Sequence, residues 1–373
     1  MVIRNKEGHM KAYPLQSISL EEAKKKQFRM IDCITTHFTG CEILSRGDLG
    51  VRQPDNQPLT TKKAEAAVAD FFGCEEAIMV RGAGTGAIRY ALAAVLKAND
   101  TILVHKAPIY STTKTSFEML GLKPVEADFN SEEEIIKALK ENTEIKAVLI
   151  QHSRQQIEDS YELEKVIKTI KATRDLPIII DENYAVMKTA KIGCEMGADL
   201  SCFSAFKLQG PEGIGLVVGN KEYIDKIRKM HYSGGCQTQG HEALDVLRGL
   251  VNAPVSLAIQ AEASNEVLER LKNNEVQGIK DAAIVNAQSK VLIVELEKEN
   301  AREVLKQAEK LGALPNPVGS ESRYEIVPLF YKVSGTFLAK DPTLIDKMIR
   351  INPNRAGADT VIRILKESIE RAA

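Results

Sequence analysis

Between residues 76 and 218 the chain alternates short apolar runs with helical stretches, and this alternation restricts the fold more than any other feature. Apolar runs fall at 76–80, 101–105, 123–126, 147–151, 177–181, 200–204 and 214–218. Helical patterns fill gaps between them at 87–96, 111–120, from Ser131 onward, 161–173 and 188–197. The run Ile178-Ile179-Ile180 shows no polar alternation, so a strand there must be covered on both faces. Strands of that kind, separated by helices, form a mostly parallel sheet between helical layers. The predicted fold class is α/β, a three-layer architecture with a mostly parallel central sheet.

The character changes further along. Residues 222–274 read as largely helical, interrupted by a Gly/Gln-rich stretch at 233–240. Strands are expected at 290–295, 324–329 and 347–352, with helices at 301–311 and 361–372, which is the pattern of a smaller α+β C-terminal domain. Near the other end, Pro54 and Pro58 exclude a regular helix, and Thr60 or Thr61 is expected to cap a helix that stops at Gly73. A chain of 373 residues exceeds a single core. Three parts are expected: an N-terminal segment 1–54 packing with the small domain or a dimer partner, a large domain 55–250 and a small domain 251–373.

Bulk properties narrow the function. A net charge of −1 supplies no field to recruit nucleic acid or an anionic membrane. No apolar run is long enough to span a bilayer, and the first residues lack the apolar stretch of a signal peptide. The six cysteines are scattered without a CxxC pair and read as reduced thiols. A cytoplasmic protein without nucleic-acid or membrane partners is the expectation.

Three local features carry chemistry. Val80-Arg81-Gly82-Ala83-Gly84-Thr85-Gly86-Ala87 leads from a strand into a helix, where backbone N–H groups and flexible glycines make an anion cradle. It lacks the Gly-Lys-Ser/Thr ending of a P-loop. Its GxGxG spacing, with the next strand ending at His105-Lys106, departs from the dinucleotide fingerprint. A phosphate on a small cofactor and a ligand-free tight turn both remain open. Asp181 ends the apolar strand, at the edge where open α/β sheets bind ligands; alone it reads rather as a loop acid or helix cap. Lys207 follows 26 residues later, past one helix and one strand, which brings it to the same edge. A partly buried lysine is unusual unless paired or reactive. Phosphate loop, ring-nitrogen acid and amine, in that order, are the parts needed to hold pyridoxal phosphate.

The segment Gly197-Ala198-Asp199-Leu200-Ser201-Cys202-Phe203-Ser204-Ala205-Phe206-Lys207, followed by Gly210-Pro211-Glu212-Gly213-Ile214-Gly215, resembles the lysine segment of fold-type I pyridoxal-phosphate enzymes. These form the aspartate aminotransferase superfamily, and the similarity is to its cystathionine synthase/lyase and selenocysteine synthase-like groups. The resemblance covers residues 40–373. It implies that Lys207 forms the Schiff base and then shuttles a proton, and that Asp181 pairs with the ring nitrogen. Ala83, Gly84 and Thr85 would hold the phosphate, with a hydroxyl from Ser204; Phe206 stands where many relatives carry Ser or Thr. Tyr110 resembles the ring-stacking aromatic of the cystathionine group, or is simply a tyrosine at a helix N-terminus. Gln151 and His152 would reach the cofactor hydroxyl or the substrate, the alternative for His152 being an ordinary strand-end histidine. Arg350 resembles the carboxylate-binding arginine, with Arg355 as rival and one of the two expected at the surface. Arg52 resembles an arginine that reaches the neighbouring subunit's phosphate, with Arg46 and Asp48 at the same mouth. Gln237, Thr238 and Gln239 lie in a loop that relatives send across the dimer. A homodimer or higher homo-oligomer with shared active sites is implied.

The expected function is a pyridoxal-phosphate enzyme acting on an amino acid, aminotransferase-like in reaction. A lyase catalysing beta or gamma elimination or replacement shares the same first step and is favoured by the lysine segment. A non-catalytic cofactor-binding or sensor protein would not need both Lys207 and Asp181. A nucleotide-dependent oxidoreductase, resting on 82–86 alone, predicts NAD(P) binding instead.

Overall fold

The computed structural model describes residues 4, 8–287, 289–319 and 321–372. The chain divides into two compact units. The large unit comprises Glu21–His152 and Tyr161–Pro254; the small one comprises the described residues up to Leu20, Ser153–Ser160 and the chain from Val255. The segment 1–54 is therefore shared between the units instead of standing as one piece.

The large unit is built on β1 (Glu76–Arg81), β2 (Thr101–His105), β3 (Lys123–Ala127), β4 (Ile145–Gln151), β5 (Ile178–Asp181), β6 (Leu200–Ser204) and β7 (Ile214–Gly219). Their order is β1-β7-β6-β5-β4-β2-β3. Strands β2 to β6 pair in parallel, and β7 runs antiparallel to both its neighbours, so β1 points the same way as the parallel set. Ile178, Ile179 and Ile180 are fully buried, as their unbroken apolar run requires. Burying each stabilises the fold by about 1.5–3 kcal/mol. Ile179 faces a core with Ala87, Ile88 and Leu92 of the helix Ala83–Val95. Ile178 and Ile180 face a second core with Leu139 and Ile170, from the helices Glu132–Glu141 and Leu163–Thr173. Two cores on opposite faces of one sheet make the three layers.

The small unit carries an antiparallel sheet of β8 (Ile279–Ala287), β9 (Ser289–Leu296), β10 (Leu329–Lys332) and β11 (Met348–Asn352), ordered β10-β11-β9-β8. The helices Ala301–Lys310 and Ala358–Arg371 cover one face through Val304, Ala308, Val361 and Leu365.

Several local expectations are corrected. The strand expected at 324–329 begins only at Leu329, after Pro328, which has no N–H to donate. Residues 188–197 form no α-helix; a 3₁₀ turn at Gly193–Met196 replaces it. There the Glu195 carboxylate accepts the Ile192 N–H (2.9 Å) and Ser201 Oγ accepts that of Cys194 (3.0 Å), so side chains satisfy the backbone. Strand β8 was not anticipated. The helix Leu59–Phe72 is capped by neither Thr60 nor Thr61 but by Asp48, whose oxygens accept the N–H groups of Leu59 (2.8 Å) and Thr60 (2.9 Å). Burial pushes the Asp48 carboxyl up, and these bonds bring it below its ordinary value. All six cysteines are free thiols, and Cys74 Sγ donates to the Phe72 carbonyl.

Among the described residues no helix is long and apolar enough to cross a membrane, and no cluster of side chains is suited to a metal.

Candidate active site

Because β1, β4, β5 and β6 point the same way, their last residues meet at one sheet edge: Arg81, Gln151, Asp181 and Ser204. The reversed strand β7 starts at that edge and ties it together. The Gly213 carbonyl accepts the N–H groups of Gly82 (2.8 Å) and Ala83 (3.0 Å), and the Ile214 carbonyl accepts that of Ala205 (3.0 Å). The stretches around Gly82 and Lys207 are thus joined through one strand end.

The glycine stretch is not a loop of five residues. Gly82 (φ 96°) and Ala83 (φ 53°) both take left-handed backbone, and Ala83 already begins the helix Ala83–Val95. Its N-terminus therefore opens directly off β1. The Gly86 N–H is taken by the Gly82 carbonyl (2.8 Å), but among the described residues those of Gly84 and Thr85 have no acceptor. A Cβ on Gly84 would lie 1.9 Å from Asn183 Oδ1, so any larger residue there would displace the Asn183 side chain that bonds Asp181. Thr85 Oγ1 bonds Thr112 Oγ1 (3.2 Å), which brings the start of the helix Ser111–Leu120, preceded by Tyr110, alongside.

Asp181 is only 7% exposed. Burial raises its carboxyl pKa, opposed by the Asn183 backbone N–H (3.0 Å), the Asn183 amide (2.8 Å) and the charge of Lys207. A carboxylate under this desolvation gains from a cationic partner. Lys207 lies in the short 3₁₀ turn Phe206–Leu208, and its ammonium sits over the Tyr184 ring, 3.3 Å from the centroid. Ser204 is buried at the end of β6.

His152 is no surface histidine. Its Nδ1 lies 2.7 Å from Glu182 Oε2, and both side chains are buried. Glu182 also accepts the Gly193 N–H (2.6 Å). His152→Ala is expected to leave Glu182 short of a buried partner and to cost about 3–5 kcal/mol in denaturant unfolding of the apo protein; a loss below 1 kcal/mol would mean the pair contributes no more than a surface contact.

Neither C-terminal arginine is a surface charge, contrary to expectation. Arg350, on β11 opposite Tyr331, donates from Nε to the Lys332 carbonyl (2.8 Å), with its guanidinium 3.9 Å from the Tyr331 ring centroid. Arg355 is half-buried, and its Nη1 and Nη2 are buried without a hydrogen-bond partner. Gln237 and Thr238 are buried within their own chain, where Gln237 bonds the His231 carbonyl and Thr238 Oγ1 bonds that of Met79 (3.3 Å). Gln239 accepts the Gly50 N–H (2.7 Å). Asp48, besides capping its helix, lies 4.0 Å from Arg52 Nη1, and the Arg52 side chain is 61% exposed.

Sequence reasoning assigned no role to Glu182, Asn183 or Tyr184. Their signal was adjacency: they follow Asp181 directly on the strand that carries it.

The class-V aminotransferase family matches residues 57–306, which span all of β1 to β7. The chain belongs to the class-V aminotransferase family. This class-V protein is 52% identical to Escherichia coli K12 protein YhfS over 360 residues, covering 96% of this chain and 99% of that one. It matches the crystal structure of the pyridoxal-5'-phosphate-dependent YhfS with a TM-score of 0.95 at 51% identity, over 97% and 100% of the two chains. A YhfS-like C-terminal domain matches residues 265–365. A probable cysteine desulfurase of Halalkalibacterium halodurans is 26% identical over 181 residues, 43% of this chain and 41% of that one. Cystathionine gamma synthase of Xanthomonas oryzae pv. oryzae, at 20% identity, shares the fold with a TM-score of 0.69 over 88% and 92%. The class-V protein is a pyridoxal-phosphate-dependent enzyme of fold type I. Its own residues fit that cofactor: open N–H groups for a phosphate, a buried acid for a ring nitrogen and an amine at one sheet edge.

Proposed function

We propose that this enzyme takes the amino group of an α-amino acid and passes it to a 2-oxo acid. The observation that carries the substrate class is Arg355. Burial lowers its pKa, opposed by the carboxylates of Glu321 and Glu325, yet a guanidinium keeps its charge. Neither carboxylate bonds its terminal nitrogens. Glu325 is committed elsewhere, accepting the N–H groups of Val318 (2.7 Å), Gly319 (2.9 Å), Glu321 (3.1 Å) and Ser322 (2.7 Å). Two parallel guanidinium donors match a substrate carboxylate. Arg350, engaged with Lys332 and Tyr331, is the weaker choice.

When bound, pyridoxal phosphate supplies an aldehyde for the amino group and a ring that accepts the electron pair left at Cα. The chain supplies the rest. Lys207 Nζ holds the cofactor at rest and takes the Cα proton as general base. Asp181 keeps the ring nitrogen protonated. The open N–H groups of Gly84 and Thr85 receive the phosphate, with the Ser204 hydroxyl beside it; of the three residues expected there, Ala83 drops out as a donor because its N–H is spent on the Gly213 carbonyl. Tyr110 covers the ring. Gln151, in register with Asp181, reaches the cofactor hydroxyl, and His152 braces the site through Glu182. Arg52 is open to a second copy of the chain, so the proposal includes a cytoplasmic homodimer.

A panel of amino acids with a 2-oxo acid acceptor tests the reading, amino transfer without ammonia release being expected. Arg355→Ala should raise KM for the amino acid about 10- to 100-fold with a smaller change in kcat. Wild-type enzyme that turns over carboxylate-free amines equally well would sink the assignment.

A second reading, elimination or replacement at the substrate's beta or gamma carbon, shares the same Cα proton abstraction and is favoured by the lysine segment Gly197–Lys207. Ammonia and a 2-oxo acid formed without any acceptor would select it. Cofactor binding with no turnover of any amino acid would leave a binding protein.

A further inference from the structure

Strand β8 is the outer strand of the small sheet, and among the described residues no strand pairs with its free edge. The covers of both sheet faces overhang that edge. On one side stands the end of the helix Gly240–Lys272, with Asn265, Leu268 and Leu271. On the other runs the segment 9–14, held by side chains: Asp281 accepts the Met10 N–H (2.6 Å), and Asn286 donates to the Tyr13 carbonyl (3.2 Å). Between them lies a cavity of about 620 Å³. That falls within the ~300–1,000 Å³ of small-molecule sites.

The cavity has two chemistries. Met10, Leu268, Leu271, Ile279 and Ile284 make apolar walls. Lys272, Lys280 and Lys290 stand around it, and among the described residues a single carboxylate, Asp281, lines it. Asp281 is already answered by Arg4 (3.4 Å) and His9 (3.3 Å). Lys280 pairs with Glu295 (2.9 Å), and Lys290 donates to Ser17 (2.9 Å). Even with these pairings, positive charge is in excess at the cavity among the described residues. The unpaired edge of β8 adds backbone donors and acceptors along its floor.

We propose that this slot is a second ligand site for a small organic anion with an apolar body, a carboxylate or phosphate at the lysines and a hydrocarbon portion between Leu268 and Ile284. All of its lining residues belong to the small unit, and none is a residue proposed to bind the cofactor or the amino acid. Its occupant is therefore distinct from the substrate, and the inference does not depend on which reaction the enzyme performs.

The test uses the holoenzyme, with 8-anilinonaphthalene-1-sulfonate as fluorescent reporter and octanoate, octyl phosphate and octanol as competitors. One saturable site per chain is expected, displaced by the two anions and not by octanol; the tighter anion distinguishes a carboxylate from a phosphate ligand. Lys272→Glu combined with Lys280→Glu should weaken the reporter about tenfold. Asn265→Trp, filling the slot from its helical wall, should remove it, and both variants should keep the cofactor absorbance. Absence of a saturable wild-type site, equal displacement by octanol, or affinity unchanged in both variants overturns the proposal. An acidic peptide that displaces the reporter better than either anion would assign the edge to strand addition and overturn it as well.

Discussion

Lys207→Ala will yield a protein that borohydride no longer links to its cofactor and whose turnover falls by about 10³-fold or more. The substitution removes two functions at once: the amine that holds the cofactor aldehyde and the base that moves the Cα proton. A rival amine makes the experiment informative. Lys188 Nζ also lies near the Tyr184 ring, at 5.7 Å from its centroid against 3.3 Å for Lys207. Peptide mapping after borohydride reduction should place the cofactor on Lys207 in the wild type and nowhere in the variant. Cofactor found on Lys188, or a variant with undiminished turnover, would overturn the assignment. An added small amine should recover part of the proton transfer, because the cavity left by the lysine side chain lies where the base is needed.

Asp181→Asn will lower turnover by about 10²–10³-fold while making the apo protein more stable at neutral pH. The two effects have one cause. Burial raises the Asp181 pKa in the folded state, so folding disfavours its charged form. Such a group reduces stability as pH rises from its unfolded value toward its folded one, and the full penalty is present above both. Asparagine carries no charge to desolvate and keeps an oxygen that can accept both Asn183 bonds. The apo melting temperature should therefore exceed wild type at pH 8, with the difference vanishing toward pH 3. Cofactor should close or reverse the gap at pH 8, since the wild-type carboxylate then meets a cationic ring. A variant that melts below wild type at pH 8 without cofactor would show that Asp181 is structural, not a charge held ready for a ligand.

Particular residues show why parts of the site were legible before any coordinates. Ile178, Ile179 and Ile180 announce burial on both faces because apolar side chains on alternating sides need two cores. Once the sheet is parallel, each strand end after a βα unit falls on one edge, so chain order alone gathers Gly84, Asp181 and Lys207. The comparisons with YhfS and the class-V family agree with that reading of fold and cofactor. Other residues were illegible for equally physical reasons. Arg350 and Arg355 are five positions apart near one strand end. Only the register of β10 against β11 shows that Arg350 faces Tyr331, while Arg355 keeps two unsatisfied nitrogens. The helix at 59–72 takes its cap from Asp48, eleven positions before Leu59, and no local pattern announces a cap from that distance.

The amino-acid sequence by itself determined the layered sheet, the order of the chemical groups and the edge at which they gather. These follow from apolar periodicity and from the handed, same-direction path of successive strands, which are properties of neighbours along the chain. The tertiary structure alone decided what each group is joined to: the Gly82 turn opening straight into a helix, the Tyr184 ring under Lys207, Glu182 behind His152 and the slot beside β8. Those pairings bring together residues distant in the chain, and burial, not sequence spacing, sets their energies.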